Sequence, residues 1–218
     1  MGVMTVRPRT DDDLPACVRA LEAVHASDGY PRSWPKDPAE WLRPNGCATA
    51  WVAEDQDATS IVGHVCVVRG VDDPVVASLT GVTTDRLASV SRLFVPAAAR
   101  GRGLAQALLG KVLSWASAQE LQLMLDVVED GGRAVALYER LGWCLVDRRQ
   151  ADWVTPRGER LPVRIYLPRR TRRSRCSRGS LRSCSPKSVQ QRNLLRDAPV
   201  SRSCVASTSA KTACAVEP

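Results

Sequence analysis

The stretch "LFVPAAARGRGLAQALL", residues 93–109, decides how the rest of the chain reads. An apolar, strand-like triplet runs into a proline and then into a knot of arginine and glycine. A long amphipathic segment, residues 102–119, follows at once, with Leu104, Leu108, Val112 and Trp115 along one stripe. That spacing predicts a helix, so a basic, glycine-rich turn opens it. The first turn of a helix leaves its backbone N–H groups unpaired and carries partial positive charge, which suits a phosphate or diphosphate. Gly101 and Gly103 take side chains out of the way of such a ligand, and Arg100 and Arg102 add charge beside it.

Two familiar phosphate loops do not match. A Walker loop needs four residues between its glycines and a Ser or Thr after the lysine, and neither is present around Lys111. The dinucleotide fingerprint fits at Gly101 and Gly103, but Gln106 holds the third position, where a small residue must pack. Asp126 falls about where the fingerprint's acid would stand and is set aside with it. A tight turn with solvated arginines remains the plain alternative for the hexapeptide alone.

Outward from this turn, the chain alternates strand and helix. "LASVSRLFV" (87–95) and "LQLMLDVV" (121–128) read as strands on either side of the helix, a unit whose two strands are expected to run parallel. "RAVALYERLG" (133–142) is a short helix ending at Gly142, with Ala134, Leu137, Tyr138 and Leu141 on its buried face. "MTVRP" is a first strand. The helix after it, 10–27, starts on a capping box of Thr10 and Asp13 and buries Leu14, Val18, Leu21 and His25. A short helix begins at Pro38. Residues 48–54 and 61–69 form a hairpin, and 143–153 and 161–168 form another. Residues 70–86 read as a long loop, and Asp130 as a cap for the helix at 133. The expected class is α/β (α+β): a mixed, mostly antiparallel twisted sheet of six or seven strands with flanking helices.

The charge of +8 is uneven. Residues 169–218 hold 12 Lys and Arg against 2 Asp and Glu, which leaves 19 against 21 in the first 168 residues. The excess basicity therefore lies in a Ser/Arg-rich tail without Trp, Tyr or Phe, which cannot bury enough apolar surface to order itself. We expect a folded domain over 1–168 and a disordered tail over 169–218. The compositional break there also fits a shifted reading frame. Any nucleic-acid binding would fall to that tail, which lacks interleaved aromatics for base stacking. No apolar run approaches a membrane span. The start, "MGVMTVRPRT", lacks a secretory h-region, so a cytoplasmic protein is expected. Eight cysteines include no C-x-x-C pair, and there are two histidines; reduced thiols and no metal are expected.

"RGRGLA" (100–105) fits the pattern (Arg/Gln)-x-x-Gly-x-(Gly/Ala), which opens the central helix of the GNAT superfamily of N-acetyltransferases. "SRLFVP" ahead of it and "ALYERLGW", one strand downstream, are also similar to that family. The resemblance covers about residues 4–167. It implies a GNAT-like sheet with strands 4 and 5 parallel and splayed, acetyl-CoA as the cofactor, and direct acetyl transfer to a primary amine of a small molecule, amino acid or peptide in a ternary complex. Pro96 ends the strand's pairing. By resemblance Leu93, Phe94 and Val95 offer backbone to the pantetheine arm, in the manner of an added strand. Arg100, Gly101, Arg102, Gly103, Leu104 and Ala105 hold the phosphates, with Gly131 where the family often has a cofactor-contacting asparagine.

Tyr138 matches the family's general acid. The glutamate that many members carry on the strand before the turn is missing from "ASVSRLFV". His64 is the best base by chemistry, its reference pKa lying near 6.5; Asp126, Glu129 or a water relay are other options. Tyr30 and Trp34, with Trp41, offer an aromatic wall to the acceptor. The missing glutamate admits a second reading, a non-catalytic acetyl-CoA-binding sensor or interaction module. A monomer or homodimer, with no membrane partner, is expected.

Overall fold

The computed structural model describes residues 4–55, 60–129, 132–155 and 158–169. Asp130, Gly131 and the basic tail from residue 170 onward lie outside the described residues. The strands are β1 (Met4–Pro8), β2 (Cys47–Asp55), β3 (Ser60–Arg69), β4 (Leu87–Phe94), β5 (Gln122–Val128), β6 (Trp143–Gln150) and β7 (Pro162–Pro168). The helices are α1 (Leu14–Asp28), α2 (Pro38–Trp41), α3 (Pro74–Thr80), α4 (Leu104–Ala118) and α5 (Arg133–Arg140). Among the described residues the strands form one seven-stranded sheet in the order β1-β2-β3-β4-β5-β7-β6. Every neighbouring pair is antiparallel except β4–β5, as the α4 crossover demands.

The elements begin and end where local chemistry directs. The Thr10 amide donates to Asp13 Oδ2 at 2.7 Å, and Gly29, at φ 66°, ends α1 in the left-handed region. The buried stripe of α1 is Leu14, Cys17, Ala20, Leu21 and Val24. Val18 and His25, expected in it, are half-buried, because the stripe is centred one position round the helix. On α4 the buried residues are Leu104, Leu108, Leu109, Val112 and Ala116, while Trp115 sits half-buried, edge-on to Trp51 at 6.2 Å. Only Tyr138 is buried on α5; Ala134 is exposed.

The loop expected over 70–86 contains α3. Asp73 Oδ1 accepts from the Val76 amide at 3.0 Å, Pro74 occupies the first turn, and Gly81, at φ 70°, closes the helix. These are ordinary start and stop signals; the segment is only seven residues long, too short to show a period.

Alternation along the strands sends side chains to two faces. Ala53, Val65, Val67, Ala88, Val90, Leu123 and Leu125 pack against Leu104, Leu108 and Val112 of α4 and Tyr138 of α5. On the opposite face, Val52, Ile61 and Phe94 meet α1, and Leu87, Met124 and Ile165 meet Val76 of α3. Leu108 is fully buried, so its truncation to Ala costs about 2–5 kcal/mol.

The sheet opens in the middle. β4 and β5 pair only at Leu87–Gln122, Ala88–Leu123 and Ser89–Met124. Beyond that point β5 pairs with β7, from Leu125–Tyr166 to Val128–Val163. β4 stays with β3 as far as His64–Phe94, across a bulge in which Arg92 and Leu93 oppose Val65. Arg92 takes a φ of 53° there. A bulge bends and twists its strand, and this one carries β4 away from its parallel neighbour.

Candidate active site

At the end of β4 the chain makes a 3-10 turn, Ala97–Ala99, and enters α4 through Gly103. Gly101 and Gly103 both have φ 76°, and a Cβ built on either meets nothing within 4 Å. The space over the turn is therefore open, and the backbone conformation favours glycine. No side chain caps α4, and its first turn has no acid. The first backbone bond of the helix runs from the Ala107 amide to the Gly103 carbonyl at 3.0 Å. The amides ahead of it belong to a helix start that no side chain caps, as an anion site requires.

Both arginines of the turn are anchored. Arg100 Nε donates to the Val95 carbonyl at 3.0 Å, and Arg100 Nη1 to Asp28 Oδ1 at 3.2 Å. Arg100 holds the Asp28 carboxyl below the usual carboxylate range. Arg102 Nη1 reaches Asp55 Oδ2 at 3.4 Å. Neither acid was foreseen, because each lies far from the turn in sequence and no local pattern links them.

His64 sits beneath the β4 bulge and is fully buried. Its Nδ1 lies 3.0 Å from the Arg92 carbonyl and its Nε2 3.0 Å from Arg9 Nη1. Guanidinium only donates, so Nε2 accepts and the ring proton sits on Nδ1. Burial lowers the imidazole pKa to about 3, and the Arg9 and Arg92 charges push the same way. The ring stacks on Phe94 at 5.4 Å. Both nitrogens are committed to the scaffold, so His64 lacks a lone pair with which to take a proton from an amine. Arg92 itself is buried, stands 4.4 Å over the Trp41 ring and donates through Nη1 to Ser91 Oγ at 2.9 Å. An arginine inside an apolar strand run was the one signal of this network in the sequence.

Tyr138 lies in the core on the α4–α5 side, edge-on to Trp143 at 5.9 Å and 6.2 Å from the Tyr166 ring. The neighbouring Glu139 accepts from Tyr166 Oη at 2.8 Å and from Arg164 Nη1 at 3.3 Å, which ties α5 to β7. On β5, Asp126 lies just past the last β4–β5 pair, half-buried. Alternation turns it away from α4, between Met124 and Val128. Withdrawal from water raises its carboxyl pKa; Asp73 and Asp152 add to this and Arg149 opposes it. Arg149 is itself paired with Asp73.

Tyr30 and Trp34 are 36% and 37% exposed at the rim of the α1–α2 loop. Tyr30 stands edge-on to Trp41 at 5.9 Å, and Trp34 lies 5.2 Å from the His25 ring. A groove of about 520 Å³ starts at Gly103, runs along α4 past Gln106 and Gly110 to Leu113, and is walled by Leu141 and Trp143.

The sequence matches the family model described as "Acetyltransferase (GNAT) family" over residues 16–143. The chain belongs to the GNAT acetyltransferase family. Its chemistry is therefore acyl transfer, and the mixed sheet with parallel β4 and β5 is the GNAT fold. Solved GNAT structures share that fold. Arabidopsis thaliana NAA60 with a bisubstrate analogue is 20% identical at TM-score 0.59, covering 76% of this chain and 97% of that one. The same protein with acetyl-CoA gives 18% and 0.60, with the same coverage. The Escherichia coli ribosomal-protein-S18-alanine N-acetyltransferase gives 18% and 0.55, covering 76% and 93%. No curated protein matches the sequence. Among the described residues no helix is long and apolar enough to cross a membrane.

Proposed function

We propose that this GNAT domain is an acetyl-CoA-dependent N-acetyltransferase that acts on a primary amine of a small molecule, amino acid or peptide. The observation that carries this reading is the coincidence of two openings. The parallel strands part after Ser89 and Met124, and the uncapped, glycine-lined start of α4 stands at the end of the same strand. The residues present fit the coenzyme. Gly101, Arg102, Gly103, Leu104 and Ala105 present amides and open space to the diphosphate, with Arg100 held alongside. Backbone at Leu93, Phe94 and the Val95 amide lies beyond the last β4–β5 pair and faces an extended arm, the Val95 carbonyl being taken by Arg100. The groove from Gly103 is large enough for the bulky end of the ligand.

When bound, acetyl-CoA supplies a thioester-activated acetyl group. The chain handles two protons around it. Tyr138 Oη gives a proton to the departing sulfur. Asp126 takes one from the acceptor ammonium: it stands at the split, and a raised pKa brings a carboxyl closer to the working pH of a base. His64 positions the bulge through the Arg92 carbonyl. Tyr30 and Trp34 flank the acceptor. We assign this activity to a domain over residues 1–168, so deleting 171–218 should leave acetylation intact.

The test is release of coenzyme thiol from acetyl-CoA across an amine panel of amino acids, polyamines, aminoglycosides and peptide N-termini. Amine-dependent release is expected. Coenzyme binding without release from any amine would instead favour the sensor reading, which the absence of a β4 glutamate permits.

A further inference from the structure

The loop between α1 and α2, residues 29–37, carries Tyr30 and Trp34. Both of its flanks are tied to segments assigned above to the coenzyme. On one side Asp28, the last residue of α1, is paired with Arg100, whose Nε donates to the Val95 carbonyl at 3.0 Å. On the other side Trp41, the last residue of α2, lies under Arg92 of the β4 bulge, with 4.4 Å from the guanidinium carbon to the ring centroid. Arg92 Nε also donates to the Trp41 carbonyl, and Tyr30 stands edge-on to the same ring at 5.9 Å.

The second tie closes into a ring. The Arg92 carbonyl accepts from His64 Nδ1 at 3.0 Å. Arg9 Nη1 donates to His64 Nε2 at 3.0 Å and to the Leu42 carbonyl at 2.6 Å, and Leu42 follows Trp41 in the chain. The end of β1, the end of α2, β3 and the β4 bulge are thereby joined. The bonds from the two arginines are charge-assisted. Arg92, His64 and Leu42 are buried, where a low local dielectric strengthens such bonds.

We propose that Arg92 is a positioning residue that couples the coenzyme strand to the acceptor loop, so that coenzyme lying along Leu93–Val95 orders residues 29–42. This rests on the coenzyme reading given above. The physical route is short. β4 pairs with β5 only as far as Ser89–Met124, and an extended arm that bonds the edge beyond steadies that backbone. Arg92 directly precedes Leu93, at φ 53°, a conformation that persists only where surrounding contacts hold it. What steadies the bulge steadies the guanidinium. The guanidinium in turn holds Trp41 and, through that ring, Tyr30. The bulge and the loop then share one ordering cost, and a ligand that meets part of it leaves less for the second ligand.

The test is amide hydrogen exchange of the full chain with and without saturating coenzyme A, read on peptic peptides. Residues 93–105 report binding itself. Residues 29–42 report the coupling and should exchange about fivefold more slowly with coenzyme A. Residues 74–80 of α3, which is held to β6 through Asp73 and Arg149, are the comparison and should change little. General stabilisation by a ligand would slow them as well. Arg92→Met removes the guanidinium and keeps a long side chain; protection of 29–42 should vanish while that of 93–105 remains. Arg92→Lys keeps a cation over the Trp41 ring and should retain part of the effect. Trp41→Leu and Trp41→Phe repeat the comparison from the other side of the contact, and serve if Arg92→Met does not fold: the first should lose the effect and the second keep it. Protection of 93–105 without 29–42 in the wild type, wild-type protection of 29–42 in Arg92→Met or Trp41→Leu, or equal slowing of α3, would overturn the coupling and leave the coenzyme reading standing. No protection of 93–105 would overturn the coenzyme reading, and this proposal with it.

Discussion

His64 Nδ1 lies 3.0 Å from the Arg92 carbonyl, at the bulge where β4 turns away from β5. That bond connects a fully buried titratable ring to the backbone distortion that opens the sheet. A non-glycine residue at φ 53° is strained, and strain of this sort persists only where surrounding contacts hold it. His64 and the cation–π contact of Arg92 with Trp41 are two such contacts.

A pH-dependent stability follows from the same ring. The folded pKa near 3 lies below the unfolded value near 6.5. Above 6.5 both states are neutral at this residue, and its contribution is fully present. As pH falls below 6.5 the unfolded chain takes up a proton that the folded chain refuses, and stability is lost progressively toward pH 3. By pH 5 this one residue removes about 2 kcal/mol. Urea denaturation at pH 7.5 and pH 5 measures it. His64→Gln should shrink the difference between the two midpoints; an unchanged difference would show that the ring does not titrate as its surroundings require.

Substitution at Gly103 should act mainly on the coenzyme. Alanine there must adopt φ 76°, which costs about 1 kcal/mol, and its methyl group enters the open space above the turn. We expect coenzyme A affinity to fall about tenfold, measured by calorimetry, with thermal stability lowered by only a few degrees. Equal affinity in Gly103→Ala and wild type would remove the turn from the binding site.

Much of the fold was legible because it is written locally. The α4 stripe, the Gly101–Gly103 turn and the "ALYERLGW" helix each carry their pattern within a dozen residues. The missing parts depend on contacts between distant segments. Asp28 and Asp55 meet Arg100 and Arg102 across 72 and 47 residues, and nothing near either acid announces it. The commitment of His64 is set by Arg9, just past β1, and by Arg92 on β4. Its chemistry alone suggests a base, and only its partners show that its lone pair is spent. Asp126 presents the opposite case: its place in a buried strand was visible, but its position at the split required the register of β4 and β5.

Asp126→Asn separates proton removal from binding. Asparagine keeps the shape and loses the basic oxygen, so turnover should fall by about 10²–10⁴-fold with coenzyme affinity unchanged. The raised carboxyl pKa predicts an acid limb in kcat/KM for the amine at a pH above the ordinary carboxylate value: activity requires the ionised form and is lost as pH falls through the raised value. Asp73, Asp152 and Arg149 face the same carboxyl, so Arg149→Gln should move that limb upward. An Asp126→Asn enzyme with wild-type turnover and the same limb would assign the base elsewhere.

Tyr138→Phe tests the other proton. The ring contacts with Trp143 and Tyr166 survive this change, so the core should hold and the melting temperature should shift little. Turnover at saturating acceptor should drop by about 10²-fold, with KM for acetyl-CoA nearly constant, because the hydroxyl acts on a sulfur that needs its proton only as the C–S bond breaks. A thiol-activated donor with a more acidic leaving group, such as an acetyl thioester of an aryl thiol, should recover much of the lost rate, since its thiolate departs without a proton. A loss of the same size with both donors would make Tyr138 a packing residue, and a wild-type rate with acetyl-CoA would exclude it from the chemistry altogether.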